Sequence, residues 1–169
     1  MAYSDLLSEL LGIDKLRVIR TEIDSAEQIT LFVESVEEVA VCPECKQLSL
    51  QIHVSLQIHG LCDRQLIHDL SYGERRCYLS YQAQRFRCSF CDKTFTEGIF
   101  WKRTGVSYTL RYEKHVYQRA HKEPVNQIAQ DEGLSEETVQ AIFEHWAHLP
   151  WPAVPGKKRL RHEDTRKSK

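Results

Sequence analysis

The alternation of apolar and polar side chains divides this chain into a β-rich front and a helical back. Leu6, Leu7, Leu10 and Leu11 recur at helical spacing, so residues 4–11 are expected to form a short amphipathic helix that stops at Gly12. Leu16–Ile23 and Gln28–Glu34 read as two strands joined by the polar turn Asp24-Ser25-Ala26-Glu27, and Val39–Val41 as a short third strand. Strict alternation then runs over 50–58: Leu50, Ile52, Val54, Leu56 and Ile58 share one face, with Gln51, His53, Ser55, Gln57 and His59 on the other. Gln65–Leu70 and one long strand, Arg75–Arg87, flank a turn at residues 71–74. After Gly98 the period becomes helical. Helices are expected over 107–121, over 124–132 (opened by Pro124 and broken by Gly133) and over 135–148. The last has Ser135 as its N-cap and Glu136 and Glu137 in its positive first turn. From Pro150 the chain carries three prolines in six residues and then a basic run, the composition of a linker and a disordered tail.

Four of the six cysteines fall in two knuckles, Cys42-Pro43-Glu44-Cys45 and Cys88-Ser89-Phe90-Cys91. A C-x-x-C turn aims two thiolates at one point, and two such turns supply the tetrahedral sulfur set that Zn2+ takes in structural sites. One structural Zn2+ on Cys42, Cys45, Cys88 and Cys91 is therefore expected, with residues 46–87 forming the β insert of a zinc ribbon. A redox C-x-x-C would open a helix within a βαβ unit, and neither pair does so. Cys77 alternates with Leu79, Tyr81 and Ala83 as a packed strand residue, while Cys62 has no assignment. His53, His59 and His68 are read as solvated strand residues rather than ligands.

The formal net charge of -1 hides a gradient. Residues 1–41 carry a net of -6, 42–107 of +3, 108–149 of -3 and 150–169 of +5. The basic middle and tail suit contact with a polyanion. No apolar run is long enough to span a bilayer and no secretion signal opens the chain, so a cytoplasmic, thiol-reducing location is expected, with no membrane partner and no small-molecule substrate.

The segment 125–142 has the spacing of a helix-turn-helix. Ala129 is small enough for a close helix crossing, Gly133 suits the turn, and Leu134, Val139 and Ile142 face the core. Its second helix would enter the major groove through Ser135, Thr138, Gln140 and Ala141, with Gln140 able to pair with an adenine edge. That helix is acidic, so backbone contacts are assigned to Arg85, Arg87, Lys93, Lys102 and Arg103 around the second knuckle and to Lys157, Lys158 and Arg159 in the tail. A plain helical hairpin is the alternative reading.

The string from Arg85-Phe86-Arg87-Cys88 to Phe95-Thr96-Glu97 resembles the end of the zinc-binding domain of ISL3-family transposases. His68-Asp69-Leu70, the first knuckle with its preceding strands, and the following helix-turn-helix are similar to that family in the same order. The resemblance implies an α+β chain: a helix and hairpin over 1–41 packed on a zinc-ribbon-like domain over 42–100, a three-helix helix-turn-helix domain over 107–148, and a linker and tail over 149–169. It implies double-stranded DNA as partner, in particular the terminal repeats of a mobile element, with an intact transposase or a second copy of the chain as further partners. The family's Asp/Asp/Glu catalytic domain has no counterpart in this sequence, so a binding protein without strand-transfer activity is expected, with no catalytic residue. A module that docks onto the intact transposase is the rival expectation.

Overall fold

The computed structural model describes residues 3–24, 28–37, 39–50 and 63–149. The alternating stretch past Leu50, together with His53, His59 and Cys62, lies outside the described residues, as do Lys157, Lys158 and Arg159 of the tail.

The chain runs α1 (Tyr3–Leu11), β1 (Leu16–Ile23), β2 (Gln28–Ser35), β3 (Val39–Val41), β4 (Leu48–Leu50), β5 (Gln65–Tyr72), β6 (Arg75–Tyr81), β7 (Arg85–Arg87), β8 (Thr94–Thr96), α2 (Leu110–Ala120), α3 (Val125–Glu132) and α4 (Glu136–Ala147). This is the expected α+β order, sheet first and three helices after. The strand pairing differs from expectation. β5 and β6 do not extend the ribbon; they join the N-terminal hairpin in one four-stranded sheet of order β1-β2-β6-β5. Two antiparallel hairpins meet through a parallel β2–β6 pair, with Gln28 opposite Arg76 and Val33 opposite Tyr81. The ribbon is reduced to two small hairpins, β3–β4 and β7–β8.

The long strand expected over Arg75–Arg87 is also interrupted, at residues 82–84. Glu97 explains the break. Its carboxylate accepts from Tyr81 Oη and from the Gln84 backbone N–H at 2.6 Å, while its own N–H donates to Gln84 O at 3.0 Å. Gln84 Nε2 reaches back to Ser35 O at 3.0 Å. The chain therefore turns at this point from the sheet into the ribbon, with the Gln84 backbone held by a carboxylate just past the end of β8.

One face of the sheet buries Leu16, Val18, Leu31, Val33, Ile67, Leu79 and Tyr81 against Leu11, Ile13 and Trp101. Tyr81 and Trp101 meet edge to face at 5.1 Å. A register shift between Val18 and Arg20 turns Ile19 outward, and the Val18 N–H finds Ser8 Oγ of α1 at 2.9 Å. Gly12 ends α1 with φ +60°, as its lack of a Cβ allows. Of the four leucines expected on one side of α1, Leu11 is fully buried and Leu7 partly packed, whereas Leu6 and Leu10 are exposed. The nine-residue helix buries only part of the stripe.

The helical core contains Tyr112, Val116, Ile128, Ala129, Val139 and Ile142. Thr109 caps α2 by accepting from the Tyr112 N–H, and Ser135 caps α4 by accepting from Thr138 N–H. Gly133, at φ +67°, makes the turn between α3 and α4.

Candidate metal centre and nucleic-acid interface

Each knuckle is the turn of its own hairpin, and the two have the same construction. The Cys42 N–H donates to Gln47 O at 2.8 Å and the Lys46 N–H to Cys42 O at 3.0 Å; the Cys88 N–H donates to Lys93 O at 2.9 Å and the Asp92 N–H to Cys88 O at 2.9 Å. The residue after each second cysteine takes the left-handed conformation, Lys46 at φ 61° and Asp92 at φ 57°. This repeated geometry turns all four sulfurs toward one point. Cys42 Sγ lies 3.7 Å from Cys91 Sγ and Cys45 Sγ 3.3 Å from Cys88 Sγ, and all four lie within 4.8 Å of one another. A tetrahedral ZnS4 centre with Zn–S bonds of about 2.3 Å needs sulfurs about 3.8 Å apart, so a small adjustment seats the ion. Cys42 and Cys88 are buried, Cys45 and Cys91 half-buried, with Phe86 fully buried beneath them and stacked on Phe95 at 5.8 Å.

The thiols themselves call for a cation. Hydrogen bonding from the Cys45 backbone N–H holds the Cys42 thiol below its ordinary pKa. The Lys93 N–H acts in the same direction on Cys91, yet burial and the three neighbouring sulfurs outweigh it and push that thiol up to about 12. Four thiolates cannot share this space without a positive charge among them, and a divalent ion supplies it. The cluster thus fits one structural metal ion on Cys42, Cys45, Cys88 and Cys91. With four protein ligands it leaves no open position for substrate. Cys77 stands apart in the sheet core, where burial pushes its thiol up to about 12.

The helix-turn-helix is mounted on the four-stranded sheet through β5. His68 exchanges backbone hydrogen bonds with the segment before α2: its N–H donates to Ser107 O at 2.8 Å and its O accepts from Thr109 N–H at 3.0 Å. The His68 ring, expected to be solvated, is instead buried between Tyr78 at 4.6 Å and Tyr112 at 4.2 Å. Desolvation lowers its pKa. Asp69, fully buried, accepts from Thr109 Oγ1 at 2.7 Å and Arg111 Nε at 2.7 Å, and Arg111 Nη2 reaches its second oxygen. Arg111 Nη1 also reaches Leu11 O at the end of α1. Leu70 packs into the helical core. On the other side, Arg76 Nη2 donates to Asp131 O at 3.2 Å and its guanidinium lies over Gly133.

Among the described residues, several of the expected DNA contacts are engaged within the protein. Lys102 is turned inward, its Nζ on Arg103 O at 3.2 Å and Val106 O at 3.0 Å, and desolvation lowers its pKa. Arg103 forms a bidentate pair with the fully buried Glu113, with Nη2 to Oε1 at 2.6 Å. Arg87 is paired with Asp92 and Lys93 with Glu44, all four exposed, and Arg85 is half-buried. On α4, Ser135 Oγ is occupied as the N-cap, Thr138 is half-buried, and Gln140 and Ala141 are exposed. The Gln140 amide donates to Glu144 at 3.1 Å and must exchange that bond to read a base. Charge alone could not reveal these internal pairs, because nothing in the sequence names Glu113 or Asp69 as their partners. Arg119 is a further case: it joins Glu123, Asp131 and Glu132, which locks α2 to α3.

A four-cysteine ribbon fused to a capped helix-turn-helix defines a metal-stapled nucleic-acid-binding protein. Residues 38–91 match the zinc-finger model of the IS204/IS1001/IS1096/IS1165 transposases, and residues 101–147 match the helix-turn-helix model of transposase family ISL3. The two segments cover more than half of the chain, which belongs to the ISL3 transposase family and carries its zinc-ribbon and helix-turn-helix regions. No curated protein and no solved structure matches it. Among the described residues no helix is long and apolar enough to cross a membrane.

Proposed function

We propose that the protein binds duplex DNA at the terminal repeats of a mobile element, in the cytoplasm, without cutting it. The observation that supports this reading is a four-cysteine ribbon carried in one chain with a capped helix-turn-helix, whose first helix is anchored to the four-stranded sheet by His68, Asp69 and Leu70. Thr138, Gln140 and Ala141 of α4 face the groove, and neither matched module contributes a set of catalytic carboxylates. Gel-shift titration of the zinc-loaded chain against ISL3-type terminal repeats tests it, with random duplex of equal length as control. Equal affinity for both at moderate salt would reject the assignment. Labelled cleavage products appearing with Mg2+ would reject the non-cutting half.

The exposed acids of α4, Glu136, Glu137 and Glu144, favour a second reading, in which the chain docks onto an intact transposase. Co-purification with that protein in the absence of any DNA shift would select it.

A further inference from the structure

The acidic face of α4 and the internal use of Lys102 and Arg103 leave a DNA-binding protein in need of cations elsewhere. We propose that the outer face of the four-stranded sheet supplies them: Arg20, Arg64 and Arg76 form a track for the phosphate backbone of the same duplex that α4 reads. This rests on the DNA-binding reading above.

The register places the track. Leu31, Val33, Leu79 and Tyr81 point into the core, so the alternating Phe32, Tyr78 and Ser80 lie on the opposite face, where Tyr78 stacks on His68, Ser80 is buried and Phe32 is half-buried. Arg20 sits opposite Phe32, and Phe32 opposite Ser80. The Arg20 guanidinium carbon lies 3.9 Å from the centre of the Phe32 ring and that of Arg64 lies 5.6 Å from it. A guanidinium lying on an aromatic ring keeps its donors in its own plane, free at the edges to meet phosphate oxygens. Arg64 is further held by neutral acceptors, Ser80 O at 3.3 Å and Gln82 Oε1 at 3.2 Å, which fix it without cancelling its charge.

Among the described residues no carboxylate lies within ion-pair distance of Arg64 or Arg76. Arg20 pairs with Glu22 at 2.9 Å, but both are more than half exposed, and such a pair yields readily to a phosphate. Arg17 is likewise matched by Glu34. Around Phe32 the described side chains therefore keep a positive excess, which is what a polyanion complements, while Arg76 shares its cavity with Glu74, Asp131 and Glu132.

The track also leads to the right place. Arg76 is four residues from Ser80 along β6, about 13 Å at strand rise. It touches Asp131 O in the last turn of α3 and Gly133 in the turn before α4. A duplex engaged by the start of α4 thus meets Arg76 first and Arg64 and Arg20 beyond it. Because the guanidiniums cover Phe32, the ring is not available to stack a base, and the contact is to backbone rather than to single-stranded bases.

The test is a salt titration of DNA binding by the zinc-loaded full chain, using terminal-repeat and random duplexes. The R20Q/R64Q double variant is compared with R20K/R64K; Arg76 is left intact because it also supports the turn. The Gln pair is expected to weaken binding to both duplexes by the same factor. It should also lower the slope of log K against log salt by about 2, at roughly 0.9 per lost phosphate contact. The Lys pair is expected to keep the slope. Zinc content and melting temperature report folding, and if the double variant falls short on either, R64Q alone decides through a slope change of about 1. An unchanged slope overturns the track while leaving the DNA-binding reading in place. Wild-type protein that binds neither duplex overturns both.

Discussion

Replacing Gly133 by alanine probes the contact that sets the helix-turn-helix on the sheet. Two costs add. At φ +67° a residue with a Cβ pays roughly 1–2 kcal/mol for the left-handed conformation. The new Cβ would also stand 2.7 Å from Arg76 Nη1 and 2.8 Å from Arg76 Cζ, inside contact distance. The Arg76 side chain is flexible and can swing away, but it then gives up its hydrogen bond to Asp131 O, worth about 1 kcal/mol. Gly133→Ala should therefore cost about 2–3 kcal/mol in the wild-type background. With Arg76→Ala already present only the backbone cost remains, about 1–2 kcal/mol, so the two substitutions couple by about 1 kcal/mol. Urea unfolding of the zinc-loaded protein, followed by far-UV circular dichroism across all four members of the cycle, measures this. Additivity within about 0.3 kcal/mol would show that Arg76 does not hold the turn.

Three further outcomes are expected. Cys88→Ser should abolish one-to-one zinc binding and leave the ribbon unfolded, because structural zinc contributes on the order of 10 kcal/mol of folding free energy; stoichiometric zinc with an unchanged melting curve would show the ligand set to be wrong. Asp69→Asn should cost about 3 kcal/mol, since Arg111, buried by more than half, loses its carboxylate, and hydrogen exchange should report loosening in α2 rather than in the ribbon; wild-type protection in α2 would refute its anchoring role. His68, whose folded pKa is lowered chiefly by desolvation, stabilises the protein above its unfolded pKa of about 6.5 and loses that contribution as pH falls through the folded value. Melting temperature should therefore drop more steeply below pH 6.5 for wild type than for His68→Phe, and parallel curves would contradict this.

Local signals reached the structure largely intact. The two knuckles, the Ser135 cap and the Gly133 turn each depend on a few adjacent residues, and each lies where its chemistry requires. Non-local pairings were not legible. Nothing in Gln28–Ser35 announces a parallel partner in Arg75–Tyr81, and the break after Tyr81 depends on Glu97, which reaches it across β7 and β8. The same limit governed the candidate DNA contacts. A cluster of Lys and Arg in sequence looks basic until Glu113 and the carbonyls of Arg103 and Val106 are seen to occupy Arg103 and Lys102. Conversely, Arg20 and Arg64 lie far apart in the chain, and only the sheet brings them to one ring. His68 was misread because a single strand histidine is more often solvated, yet the arriving tyrosines of α2 and its preceding segment make it interior.

The parallel β2–β6 pair has a consequence for how the chain acquires its shape. Hairpins β1–β2 and β5–β6 close through short turns and can form early, but joining them requires closure of a long loop that contains the first knuckle. The second knuckle follows β6 after only the short β7, so during synthesis metal capture becomes possible soon after sheet completion. Before that point the paired edge of β2 stands open, and a chain starved of zinc would linger there with an unpaired strand offered to its neighbours. Metal supply would then govern the yield of folded protein during synthesis, in addition to the stability of the finished molecule.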